Sequence, residues 1–215
     1  MGRASYTAPE FHRSALITID VQCDFLDGGS CPIPGTSAAL PAMARLARAF
    51  RAAHRPIFHM MRIYLPDGSN AELCRREALE EGAQIVLPNT QGMEISPALV
   101  SNPGSWNVAT LLAGAPLDLG PNEWALFKPR WGAFYKTSLE ELLRAKDIST
   151  LVFCGCNFPN CPRTSIYEAS ERDFGIVLAE DAISGLYEQG RKELLGIGVS
   201  LMTVDEVEQA LIKSY

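Results

Sequence analysis

Short apolar runs alternate with amphipathic stretches along most of this chain. Ala15-Leu16-Ile17-Thr18-Ile19 is almost continuously apolar and stops at Asp20, the pattern of a strand covered on both faces. Residues 37–54 then place Leu40, Met43, Ala47 and Phe50 at helical spacing. Pro41 is expected in the first turn of that helix, where no N–H partner is lost. Residues 56–61 read as a second strand, 124–127 as a third ending at Lys128, 150–154 as a fourth and 176–179 as a fifth halting at Glu180-Asp181. Ser138-x-x-Glu141 has the form of a capping box at a helix start. A helix is expected from Cys161 to about Phe174, closed by Gly175, and another near 189–196. A short strand over 200–204 and a helix over about 205–213 end the chain. Such alternation predicts an α/β fold, a three-layer doubly wound parallel sheet formed by residues 1–215 as one domain.

Two stretches fall outside the pattern. Residues 1–13 lack an apolar run and read as a loose N-terminal arm. Residues 62–122 are punctuated by Gly and Pro, from Pro66 and Gly68 to Gly120 and Pro121. So long an irregular stretch inside a compact domain usually forms a lid, binding loops or an interface.

Composition narrows the function classes. With 47% hydrophobic and 20% charged residues the chain is globular rather than disordered. A net charge of −6 without a basic block argues against nucleic acid and anionic membrane as partners. No apolar run approaches the roughly 18 residues that span a bilayer. Six cysteines without an export signal are expected as reduced thiols in the cytoplasm.

Candidate chemistry gathers at strand ends. Asp20 and Lys128 each close an apolar run, and Cys161 follows the turn that leaves the fourth strand. In open α/β sheets the ligand crevice lies beyond these carboxyl ends. A thiol in the first turn of a helix faces unpaired N–H groups and the positive end of the macrodipole, which favours thiolate. Taken singly each residue has a plainer reading: a turn-capping Asp, a solvated Lys, a structural Cys. Arg62, Arg130 and Arg163 lie near the inferred mouth and suit a carboxylate, or else pair with the acidic excess. Gln22, Phe25, Trp131, Phe134, Tyr135 and Phe158 are further pocket candidates, the aromatics serving equally well as core. His12, His54 and His59 have no ligand spacing, and no catalytic metal or other cofactor is expected.

Four segments together carry a resemblance. Residues 16–25 (LITIDVQCDF), 127–134 (FKPRWGAF), 155–161 (GCNFPNC) and 179–184 (AEDAIS) resemble, in order, the motifs of isochorismatase-like cysteine hydrolases. The resemblance implies a six-stranded parallel sheet and a triad of Asp20, Lys128 and Cys161. It also implies a cis peptide between Cys156 and Asn157, with the amides of Asn157 and Cys161 as oxyanion donors. The Asp would move the proton and the Lys would hold the pair. Metal-dependent nicotinamidases of this superfamily carry an Asp-x-His pair where this chain has Met60-Met61-Arg62, so nicotinamide is not the expected substrate. Isochorismatases proper cleave a vinyl ether without a cysteine nucleophile, so Cys161 points to the branch that hydrolyses amides, ureides and carbamoyl compounds. Family members assemble as homodimers or homotetramers. The competing readings are an idle homologue that binds a small molecule or acts as a scaffold, and a vinyl-ether hydrolase.

Overall fold

The computed structural model describes residues 6–103 and 106–214. One sheet runs through it, built from β1 (Ser14–Ile19), β2 (Ile57–Met61), β3 (Leu117–Gly120), β4 (Glu123–Phe127), β5 (Thr150–Gly155), β6 (Gly175–Ile183) and β7 (Ser200–Met202). Their spatial order is β3-β4-β2-β1-β5-β6-β7. The pairings from β4 across to β7 are all parallel. β3 is a seventh strand, antiparallel to β4 on the edge. Its four residues, Leu-Asp-Leu-Gly, are too few for a period-2 signal to stand out from the surrounding turns.

The central strands are apolar throughout because the sheet is covered on both sides. Within β1, Leu16 packs into the core on one face while Ala15, Ile17 and Ile19 pack into the other. The first face is covered by α1 (Thr36–Ala52) and α7 (Val204–Lys213), together with α2 (Leu73–Glu80), α3 (Val108–Leu112) and the intervening chain. The second is covered by α4 (Leu139–Ala145), α5 (Cys161–Ser170) and α6 (Glu188–Gly196). Each large aliphatic or aromatic side chain so buried contributes about 1.5–3 kcal/mol relative to exposure. Residues 62–122 are thus a mixture of short elements whose apolar residues, among them Val86, Met93, Leu99 and Leu111, complete one core.

Several local expectations are corrected. Part of the N-terminal arm is docked: Phe11–Arg13 form a 3-10 turn with Phe11 buried, and the Glu10 N–H donates to Thr150 Oγ1 at 2.8 Å. Residues 1–5 lie outside the described residues. Pro41 falls beyond the first turn, because α1 already begins at Thr36. Ser138 precedes α4 but its hydroxyl caps nothing, being buried without a partner. The capping box that does form is Thr203 with Glu206 at the start of α7. α5 stops at Ser170, and Gly175 opens β6, which runs on through Asp181 to Ile183. No helix among the described residues is long and apolar enough to cross a membrane.

Candidate active site

Three strand ends converge because of the strand order. β1 lies between β2 and β5, and β2 pairs with β4, so the chain leaving β1, β4 and β5 emerges at the same carboxyl end of the sheet within the span of four neighbouring strands. Asp20 follows β1 in the left-handed region at φ 53°, with its N–H on Met60 O at 2.9 Å. Lys128 follows β4, and its N–H is held by Met61 O at 2.9 Å. At the end of β5, Gly155 sits at φ 126° so close to β1 that an added Cβ would lie 2.2 Å from Ile19 O. Only glycine fits there. The chain then bends through the Cys156–Asn157 peptide bond, which is cis, and reaches Cys161 as the first residue of α5. Cys156 helps lock the bend: its N–H donates to Ile19 O at 2.9 Å and its Sγ to Asp20 O at 3.0 Å.

Asp20 and Lys128 meet beneath the surface, and Cys161 lies half-buried above them. Lys128 Nζ lies 2.9 Å from Asp20 Oδ2, with side-chain exposures of 0% and 4%. Nζ also donates to Arg130 O at 3.4 Å. Asp20 Oδ1 is buried and has no hydrogen-bond partner. The Cys161 thiol interacts with both charges. Its pKa is pushed up to about 12, chiefly by burial and then by the Asp20 carboxylate, with Lys128 pulling more weakly the other way. The expectation of a resting thiolate is therefore corrected, because desolvation and a neighbouring anion outweigh the helix end. The proton stays on sulfur beside a carboxylate oxygen with room to accept it. Among the described residues, the amide N–H groups of Asn157 and Cys161 are committed to no other acceptor.

A small cleft opens over this cluster, with an accessible volume of about 60 Å³. Of the pocket candidates, Phe25, Arg62 and Trp131 line it. The others serve elsewhere. Gln22 is buried in a clamp, donating to Arg62 O and Met93 O at 2.7 Å each and accepting from the Arg62 N–H. Phe134 and Phe158 are core residues, against Phe174 and Tyr187 respectively. Arg130 reaches Asn70 O and Pro129 O, and Tyr135 faces solvent. Arg163 is spent on Tyr187 and Glu193.

Cys31 also lines the cleft, and Ile33, Tyr64, Arg75, Ile85 and Asn160 do so without having been singled out from the sequence. Ile85 is placed from the first motif. Asp24, within the first motif, accepts the Val86 N–H at 2.6 Å and the Ser30 N–H at 3.2 Å. Its carboxylate staples residues 84–86 beside the cleft. Gly92 allows that approach, since a Cβ there would meet Asp24 Oδ2 at 2.2 Å. As for metal chemistry, no cluster of three or more His, Cys, Asp or Glu suited to an ion occurs among the described residues. His59, the one histidine in a strand, is buried against Thr18 and Glu123.

Comparison with known proteins gives the wider context. The isochorismatase domain model matches residues 14–199. A probable inactive nicotinamidase of Arabidopsis thaliana is 24% identical over 95% of this chain and 99% of its own length. A ureidoacrylate amidohydrolase of Methylobacterium radiotolerans is 29% identical, and the match covers 77% of this chain and 65% of that enzyme. Among solved structures, an isochorismatase family protein from Desulfovibrio vulgaris superposes with a TM-score of 0.78 at 29% identity, covering 93% of this chain and 98% of the other. A family match spanning β1 to the threshold of β7 takes in every element that builds the cleft, and the chain belongs to the isochorismatase family.

Proposed function

We propose that this protein is a cysteine-dependent hydrolase of a small amide, ureide or carbamoyl compound, acting through a thioester. One observation carries the reading. Asp20 is a buried carboxylate with one oxygen paired to Lys128 and the other unpartnered, beside a thiol that keeps its proton. A structural ion pair would have both oxygens satisfied. The amidohydrolase among the relatives supports the same bond class.

In this mechanism Cys161 Sγ attacks the carbonyl carbon as its proton passes to Asp20. The oxyanion is received by the N–H groups of Asn157 and Cys161, and a single donor of this kind is typically worth about 3–4 kcal/mol of barrier. Asp20 returns the proton to the leaving nitrogen, the C–N bond breaks, and ammonia or an amine departs. Water then attacks the thioester and gives a proton to Asp20. The C–S bond breaks, the acid product leaves, and the thiolate recovers its proton from Asp20. Lys128 keeps Asp20 oriented, and its cation offsets the negative charge that sulfur acquires during attack. A thiol with so high a pKa is not itself a store of thiolate. Proton transfer must accompany attack, which is why the carboxylate oxygen has to be free.

The test is ammonia release across a panel of small amides, ureides and carbamoyl amino acids. Cys161→Ala should lower kcat/KM by about 10⁴-fold or more with the fold unchanged by circular dichroism. Undiminished ammonia release in that variant would refute the cysteine-dependent mechanism, and a vinyl-ether hydrolase would release no ammonia from any member of the panel. A second reading, an idle homologue that binds a small molecule, is favoured by the relative described as probably inactive. That reading requires the wild type to bind members of the panel without ever releasing ammonia.

A further inference from the structure

A second groove lies at the opposite pole of the sheet, where the parallel strands begin. β2, β1 and β5 are neighbours, so the residues leading into them gather at one place. Residues 54–55 lead into β2, 12–13 into β1 and 146–147 towards β5. Together they line a groove with an accessible volume of about 380 Å³, within the range of small-ligand sites. Its charges are mostly positive. Arg13 is spent, with Nη2 2.5 Å from Asp147 Oδ1, Nε donating to Asp147 O at 2.9 Å and Nη1 to Glu10 Oε2 at 3.2 Å. Arg55 and Lys146 are not. Arg55 makes no side-chain hydrogen bond or ion pair among the described residues, and its Nε is buried. Lys146 has its ammonium 4.3 Å from the centre of the Trp124 ring and no carboxylate partner among the described residues.

A plainer reading is that these cations only answer helix ends, since α1 stops at Ala52 and α4 at Ala145 just before them. That accounts for part of the charge. The last carbonyls are already met by backbone N–H groups: Phe50 O by Arg55, Arg51 O by His54, Leu143 O by Lys146 and Arg144 O by Asp147. Each macrodipole end amounts to about half an elementary charge, so two ends offset roughly one of the two free cations. The groove stays positive before the rings of His12 and His54 are counted. In a chain with a net charge of −6 this is a local departure from the overall field. A buried guanidinium N–H without an acceptor is also unfavourable unless a ligand supplies one.

We infer that this groove is a second ligand site, which binds a phosphate dianion, free or as a small monoester, between Arg55 and Lys146. Two free cations match a group that carries about −1.5 to −2 at pH 7. The donors arrive on separate segments, before β2 and before β5, and so from different directions. A tetrahedral phosphate offers an oxygen to each, whereas a planar carboxylate has two oxygens and one charge. Pro56 and Ile148 supply an apolar wall for the carbon of an ester. Because the groove lies at the far end of β1 and β5 from Asp20 and Cys161, the inference stands apart from the hydrolase reading.

The experiment measures binding to the full chain. Calorimetric titration at pH 7.5 and low salt would compare glycerol 3-phosphate, inorganic phosphate and acetate. Both phosphates are expected to bind at least about tenfold more tightly than acetate, and more weakly as salt is added. Lys146→Gln, an exposed position whose change leaves the core alone, and Arg55→Gln should each weaken phosphate binding at least about fivefold. Arg75→Gln, which removes a cation from the Cys161 cleft instead, should leave it within about twofold. A monoester bound more tightly than inorganic phosphate would support an organic ligand resting on Pro56 and Ile148, and equal affinities would support free phosphate. Three results would overturn the inference: no binding of either phosphate at millimolar concentration, acetate binding as tightly as phosphate, or an affinity that responds to Arg75→Gln and ignores Lys146→Gln.

Discussion

Two buried charge clusters sit in the same sheet, and they are built differently. Around Glu123, at the start of β4, every oxygen is occupied. Arg51 donates to both oxygens at 2.7 and 2.8 Å, His59 Nε2 to Oε1 at 2.9 Å, and Ser101 through its N–H at 3.1 Å and its hydroxyl. Thr18 closes the chain on His59 Nδ1 at 2.7 Å. Around Asp20, at the other end of the neighbouring strands, three atoms are left over: Asp20 Oδ1, Arg62 Nε and Glu72 Oε1. The two carboxylates are equally buried, Glu123 at 0% and Asp20 at 3% exposure, so carboxylate burial does not distinguish the clusters. Saturation does. A satisfied network holds strands together, whereas unspent donors and acceptors facing a cleft are capacity held for a ligand or a proton.

The contrast is broken most directly by removing charge while keeping shape. Asp20→Asn should lower kcat/KM by about 10²–10⁴-fold, the usual worth of a general acid–base group. It should also destabilise the fold by about 3–5 kcal/mol, because the fully buried Lys128 cation is left without its counter-charge. Urea denaturation and ammonia-release kinetics on the same preparation would check this. An Asp20→Asn protein whose folded fraction turns over normally would overturn the catalytic assignment of Asp20.

The state of the thiol sharpens the same point. With a pKa near 12, Cys161 at pH 8 carries on the order of 10³-fold less thiolate than an unperturbed cysteine would. Iodoacetamide at pH 8 should therefore label exposed Cys74 well before Cys161, as read by peptide mass mapping. Slow alkylation is thus what a working site predicts here, and it does not mark an idle scaffold. A substrate-like aldehyde, which can be attacked as the proton moves to Asp20, should reverse the order. Rapid, selective alkylation of Cys161 would show that the sulfur rests as thiolate.

What could be read from the chain alone divides along similar lines. Asp20, Lys128 and Cys161 were legible because each ends or follows an apolar run, and parallel strands bring such ends together whatever lies between. The sheet was legible because buried strands are uniformly apolar. Tyr64, Arg75 and Ile85 were not. They lie within 62–122, where short elements replace periodicity and position depends on distant clamps such as Asp24 on Val86. The antiparallel β3 and the empty cap at Ser138 escaped for a related reason. Four residues carry too little pattern, and a Ser-x-x-Glu motif states which bonds are available without stating whether the local backbone, here fastened by Thr137 Oγ1 on Ala133 O at 2.6 Å, lets them form. The thiolate expectation failed because the helix end was visible in the sequence and the depth of burial was not.

The saturated cluster differs from Asp20 in what substitution does to turnover. Glu123→Gln should destabilise the fold by about 1–3 kcal/mol, the usual cost of leaving a buried donor unsatisfied, because a single amide oxygen cannot serve Arg51, His59 and Ser101 together. Turnover per folded molecule should remain at the wild-type level, because the cluster lies away from the cleft. Equilibrium denaturation gives the first quantity, and kinetics corrected for the folded fraction give the second. A fall in kcat greater than the fall in folded fraction would tie Glu123 to the chemistry after all.

The smallest effect lies in the pH dependence of His59. Burial, the leading influence, pulls its pKa below the ordinary value of 6.5, although Glu123 acts the other way. The ring is then neutral in the fold, with Nε2–H donating to Glu123 and Nδ1 accepting from Thr18. Below about pH 6.5 the unfolded chain takes up a proton that the folded chain declines, so stability must fall as pH falls. One such group contributes at most about 1.4 kcal/mol per pH unit. The Glu123 carboxyl, held well below its ordinary range by Arg51, His59 and Ser101 against the opposing effect of burial, adds a loss of the same sign at still lower pH. Denaturation at pH 7, 6 and 5 in wild type and His59→Gln separates the two. The variant will be less stable throughout, but its slope between pH 6 and 5 should be shallower. Parallel slopes would mean that His59 is already charged inside the sheet. The cluster would then be a buried ion triad, and its similarity to the Asp20–Lys128 pair would be greater than their difference in saturation suggests.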